Sequence, residues 1–128
     1  MRAFLVSHGL AQEPGAGGRA TFRHAEWFGG APVLDEAPED GDTFAAAGRH
    51  WRLIETGGHC RGHLCLYDAD GRVLVSGDQV LPTISPNVSV LSSRPDADPL
   101  REFLASLTRL EQCAEDTVVL PSHGRPFR

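Results

Sequence analysis

Apolar and polar positions along this 128-residue chain change rhythm near residue 43. Before it, apolar residues come in short runs without a sustained period. Arg2 to Ser7 reads as a short strand, residues 9–21 as a Gly-rich loop, and Glu26 to Asp42 as turn signals around Trp27, Phe28, Val33 and Leu34 with an acidic, solvated face. From Thr43 onward, Trp51 to Glu55 and Leu64 to Tyr67 have strand character. Asp68-Ala69-Asp70-Gly71 then turns the chain into Arg72 to Ser76, which predicts a hairpin. Residues 81–97 (LPTISPNVSVLSSRPDA) carry three Pro and no helical period, so they predict an ordered loop whose length argues for function or for covering a surface. Asp98 and Pro99 supply an N-cap and a first helical position, and Leu100, Phe103, Leu104, Leu107 and Leu110 follow at the spacing expected of one apolar face. Thr117 to Leu120 predicts a short buried strand, and Pro121-Ser122-His123-Gly124 turns off its end. Strands followed by a helix and a further strand are the order of an α/β sheet.

Composition narrows the function more than the fold. At 41% hydrophobic and 23% charged the chain has the make-up of a single globular domain, loop-rich over 1–42 and motif-bearing over 43–128. All twelve positive residues are Arg, which points to a GC-rich bacterial coding sequence and not to an activity. The net charge of −5 with scattered Arg offers no basic stripe, so a nucleic-acid partner is not expected. Cys60, Cys65 and Cys113 form neither a disulfide framework nor C-x-x-C spacing, and MRAFLVSHGL is too short for a signal h-region or a membrane span. A cytoplasmic protein with reduced thiols and no membrane association is the expectation.

Three polar residues stand just beyond three apolar strands: His59, Asp78 and His123, each beside a glycine (Gly58, Gly77, Gly124). Strand ends are where α/β sheets place chemistry, and imidazole with carboxylate is the donor set of a zinc, iron or manganese site. By spacing alone the same residues also read as turn and capping residues, since six His in 128 residues put some at strand ends by chance. The string Gly58-His59-Cys60-Arg61-Gly62-His63, with two His four apart in a Gly-rich loop, is not a usual core pattern.

TGGHCRGH (Thr56 to His63), SGD (Ser76 to Asp78) and LPSHG (Leu120 to Gly124), in this order, resemble the later metal motifs of the metallo-β-lactamase superfamily, TPGHxxGH, xGD and PxHG. The similarity runs from about Gly41 onward, and GDQVLPTISPNVSVL, DPLREFLASLTRL and LPSHGRPF resemble a bacterial branch of hydrolases loosely related to the hydroxyacylglutathione hydrolase type. The resemblance implies the C-terminal portion of an αββα sandwich, a mixed sheet with flanking helices. It implies His59 as a ligand of a first metal, Asp78 as the catalytic carboxylate bridging two metals, His123 as a ligand of the second, and His63 as a histidine behind the ligands. It also implies two zinc ions, with iron or manganese as alternatives, and a metal-bound hydroxide attacking the ester, thioester, lactone or phosphodiester of a small molecule. Gly57 stands where Pro is usual, and Cys60 where Ser or Thr is common.

The family's HxHxDH signature is absent from the 128 residues, and with it four ligands. His8, in FLVSHGL, resembles the first histidine of that signature. Each metal would keep one histidine and share Asp78, against the three protein ligands usual for catalytic zinc, so incomplete metal binding and weak activity are expected. Two explanations stay open: an excised piece of a longer hydrolase, or a degenerate homologue acting as a binding or dimerisation domain. An endoribonuclease of the same superfamily is a third reading. Loss of half a sandwich would leave apolar surface to cover, and a homodimer is the expected solution.

Overall fold

The computed structural model describes residues 38–128. The expected strand Arg2 to Ser7, the loop 9–21 and His8 lie outside the described residues. The chain divides into two compact units, Met1–Ala37 with Leu91–Pro95, and Pro38–Val90 with Asp96–Arg128, and the second is the one described below. Its elements are β1 Thr43–Ala46, β2 Arg49–Thr56, β3 His63–Asp68, β4 Val73–Gly77, α1 Pro99–Leu110 and β5 Val118–Pro121. They form one mixed sheet in the order β1-β2-β3-β4-β5, antiparallel through β4, with β5 added parallel to β4 after α1.

β1 has no counterpart in the sequence reading. It pairs with β2 from Thr43↔Arg52 to Ala46↔Arg49, so Ala47 and Gly48 alone make the turn, with φ of 53° and 71°. Two positive φ values define a type I′ hairpin, and Ala is a poor signal for a turn that favours Asn-Gly or Asp-Gly. The second hairpin begins its return strand later than expected. Arg72 has φ 51° and belongs to the turn, where Asp68 Oδ1 accepts the Gly71 N–H at 3.0 Å.

Alternation along the strands sorts their side chains onto two faces. One face carries Ile54, Cys65, Tyr67 and Leu74, which cluster with Leu110 of α1 and are joined by Val80, Cys113 and Val119. Removing a side chain from such a cluster, as in Ile54→Ala, costs about 2–5 kcal/mol. The other face carries Leu53, Leu66, Val75 and Leu120, which are cross-strand neighbours of one another.

Asp98 caps α1, its Oδ1 accepting the Arg101 N–H at 3.0 Å, and Pro99 opens the helix as expected. The apolar face differs from the expected one. Phe103, Ser106, Leu107 and Leu110 turn inward, whereas Leu100 and Leu104 are 57% and 54% exposed. At about 100° per residue Leu104 lies a quarter-turn round from Phe103, and the stripe that meets the sheet is centred on 103, 106 and 110. A serine in the middle of that stripe is what the hydrophobic pattern hides.

β4 and β5 pair with a register shift, Val75↔Leu120 followed by Gly77↔Pro121, so Ser76 is an extra residue on β4. It is fully buried, and its hydroxyl donates to Val80 O at 2.9 Å. After β5 the chain doubles back, and Val119 and Phe127 exchange backbone hydrogen bonds of 2.8 and 3.2 Å.

Candidate functional site

β2, β4 and β5 run in the same direction, because β2 and β4 are each antiparallel to β3 and β5 is parallel to β4. Their C-terminal ends therefore lie on one edge of the sheet, and the three loops that leave them carry His59, Asp78 and His123. His63 opens β3 on the same edge.

Asp78 sits at the centre. His59 Nε2 is 3.3 Å from its Oδ2, and His123 Nε2 is 3.4 Å from its Oδ1. Ser122 donates a hydrogen bond to Oδ1, and this bond first, then the charges of His123, His59 and His63, holds the carboxyl below its ordinary value of 3.8. The Ser122 N–H donates to Gly77 O at 3.0 Å, tying the turn after β5 to the end of β4.

His59 Nδ1 lies 2.9 Å from the carbonyl of Asn87. A carbonyl only accepts, so Nδ1 bears a proton, and Nε2 is the nitrogen that faces Asp78. Such a carbonyl behind an imidazole is the usual device for orienting a metal-binding histidine. Asn87 lies in the Pro-rich loop 81–97. The composition of that loop marks it in the sequence, but nothing marks this residue, because its carbonyl is a group every residue has.

His63 stands behind the pair. Its Nδ1 and Thr56 Oγ1 are hydrogen-bonded at 2.8 Å, and its ring meets that of His59 edge-on with centroids 6.4 Å apart. A Cβ at Gly77 would lie 2.6 Å from His63 Nε2, so the ring abuts the backbone immediately before Asp78. Burial, then the charge of His59, lowers the His63 pKa from 6.5, with Asp78 opposing. Cys60 is exposed, and partial burial and the Asp78 charge raise its thiol pKa, which lowers its nucleophilicity.

The donor set of two imidazole nitrogens and both oxygens of one carboxylate suits a divalent cation chemically. Its number falls short: among the described residues, no three His, Cys, Asp or Glu side chains gather in a way that could hold one ion. The arrangement is one imidazole on each side of a shared carboxylate.

Fold and motif order together are those of the metallo-beta-lactamase superfamily, whose sequence model matches residues 7–123. The chain belongs to that superfamily. It is 33% identical to a hydroxyacylglutathione hydrolase of Rhizobium johnstonii over 72% of its own length and 33% of the relative's. Among solved structures, a beta-lactamase domain protein from Burkholderia ambifaria is 38% identical with a TM-score of 0.82, over 98% of this chain and 35% of that one. The di-iron-bound form of the protein TTHA1623 is 30% identical with a TM-score of 0.57, over 81% of this chain and 50% of that one. The chain thus spans about a third of the length of the hydroxyacylglutathione hydrolase it matches. Among the described residues no helix is long and apolar enough to cross a membrane.

Proposed function

We propose that this chain contributes His59, Asp78 and His123 to the metal centre of a hydrolase that cleaves an ester, thioester, lactone or phosphodiester bond in a small molecule. The observation that carries the reading is the symmetry about Asp78: each carboxylate oxygen is faced by one histidine Nε2, at 3.3 and 3.4 Å. A divalent cation held there supplies Lewis acidity toward a carbonyl or phosphoryl oxygen and makes water a better nucleophile at neutral pH. The protein's part is to keep Asp78 ionised through Ser122, to present His59 Nε2 with its proton parked on Nδ1 at Asn87 O, and to hold His123 on the opposite side. Zinc is the metal proposed first, with iron or manganese as alternatives. Titration of the metal-free protein with each metal, with assays on thioester, lactone and phosphodiester substrates, tests the reading. Binding abolished in Asp78→Asn supports it, and unchanged binding in that variant overturns it.

A second reading, a non-catalytic binding domain, is favoured by the single imidazole on each side of Asp78, which leaves fewer protein donors per ion than catalytic zinc normally has. In that reading the part of the second face that stays accessible, Leu66, Val75 and Leu120, is covered by a second copy of the chain. Sedimentation that shows a dimer supports this assembly, and a monomer across all concentrations removes it.

A further inference from the structure

We propose that Ser106, on the inner stripe of α1, is a positioning residue for the loops that carry His59 and Asp78, acting through Gly57; this rests on the reading of those two residues as ligands. Gly57 is the point where three parts of the molecule meet. Its N–H donates to Ser106 Oγ at 2.8 Å, and the Ser106 hydroxyl in turn donates to Glu102 O at 2.8 Å. Its carbonyl accepts from Gln79 Nε2 at 3.2 Å. Gln79 directly follows Asp78 and is fully buried, and Ser106 is 5% exposed. One backbone residue therefore ties the His59 loop to the Asp78 loop, and both to the helix. The next residue is held from the same side: Gly58 has φ 94°, and a Cβ there would lie 2.6 Å from Pro99 O and run into Phe103.

The pair Gly57 and Ser106 is matched. Proline lacks the N–H that Gly57 gives to Ser106, and the proline Cδ would occupy the direction of that N–H, pointing into Ser106 Oγ. At Cβ itself, position 57 has room. A Cβ there meets only Glu102, at 3.5 and 3.6 Å, and Thr56 before it lies in an extended strand, as a residue preceding proline must. In this chain a hydroxyl on α1 fixes by hydrogen bonding a backbone that a pyrrolidine ring would fix covalently. The hydroxyl and the ring exclude each other.

The test compares the full chain with Ser106→Ala, Gly57→Pro and the double variant. Amide hydrogen exchange at Gly58 and His59 is read in the metal-free proteins, and Co(II) affinity and visible absorption in the loaded ones. Ser106→Ala is expected to speed exchange and to weaken Co(II) binding about tenfold, the low end of what orienting groups behind metal ligands contribute. Gly57→Pro alone is expected to do worse, and the double variant to return to within about twofold of the unsubstituted chain, the non-additivity of coupled neighbours. Additive effects, or unchanged exchange and absorption in Ser106→Ala, overturn the proposal. A general loss of stability would lower the thermal midpoint in every variant without the rescue, and that too overturns it. If the unsubstituted chain takes up no Co(II), the ligand reading fails, while exchange in the four proteins still decides whether Ser106 braces the loop.

Discussion

The two sides of Asp78 are built differently. On one side His59 is 25% exposed, its Nδ1 is fixed by the Asn87 carbonyl, and its loop is held between β2, Gln79 and α1. On the other, His123 is 64% exposed, and Asp78 is the polar partner of its ring. Its turn is held at the backbone, by Ser122 N–H on Gly77 O and by the Val119 and Phe127 pair. Both sides offer the same donor, yet on one side much of the ordering entropy has been lost during folding, and on the other it must be lost when a ligand arrives. In the proposed metal-binding reading the first side is the formed one, and the His123 side chain is the closing one, ordered when a ligand binds.

The largest effect expected from this difference is on metal affinity. His59→Ala should weaken binding by more than about 100-fold, beyond the loss typical of orienting groups, and His123→Ala by about tenfold. Calorimetric titration of both variants checks the order, and a larger loss for His123→Ala would reverse the assignment of formed and closing sides. A smaller effect separates the two glycines. Gly58→Ala places a Cβ against the backbone of α1 at φ 94°, whereas Gly124→Ala, at φ 87°, meets only the Pro82 ring, its nearest atom 2.7 Å away. Urea unfolding should show a loss of about 2–4 kcal/mol for the first and about 1–2 kcal/mol for the second. Equal losses would mean that the His59 loop is no more tightly seated than the His123 turn.

The smallest effect lies at the far edge of the sheet and serves as a control for both sides. The Gly71 N–H first, and Arg49 second, at 2.5 Å, hold the Asp68 carboxyl below its ordinary value of 3.8. Its contribution to stability is therefore full above that value and is lost as pH falls from there toward the lowered one. The urea midpoint of Asp68→Asn should fall less between pH 7 and pH 3 than that of the unsubstituted chain. An equal fall would place the acid sensitivity elsewhere, in carboxyls such as Asp40, which Arg109 and the Glu55 N–H hold low.

Much of this site could be read from residue types. His59, Asp78 and His123 were legible because strand polarity brings the ends of β2, β4 and β5 to one edge, so three short motifs in sequence order converge in space. What stayed hidden acts through the backbone or against expectation. The Asn87 carbonyl has no residue signature, and Ser106 looked like a gap in an apolar stripe that counted Leu100 and Leu104 as inward. The β1 hairpin was missed because Ala47 occupies a left-handed position that propensity assigns to Asn, Asp or Gly.

The extra residue Ser76 in β4 acts like a reading frame for the sheet edge. It is the residue that β5 does not match, so losing it between Val75 and Gly77 would straighten β4 and shift Asp78 along the strand relative to the ends of β2 and β3, with His59, Asp78 and His123 all still present in the sequence. Substitutions at Ser76 change packing, whereas a deletion there changes spacing. The count of residues between the last core position of β4 and the aspartate, Leu74 to Asp78 here, is therefore part of the motif as much as its letters are.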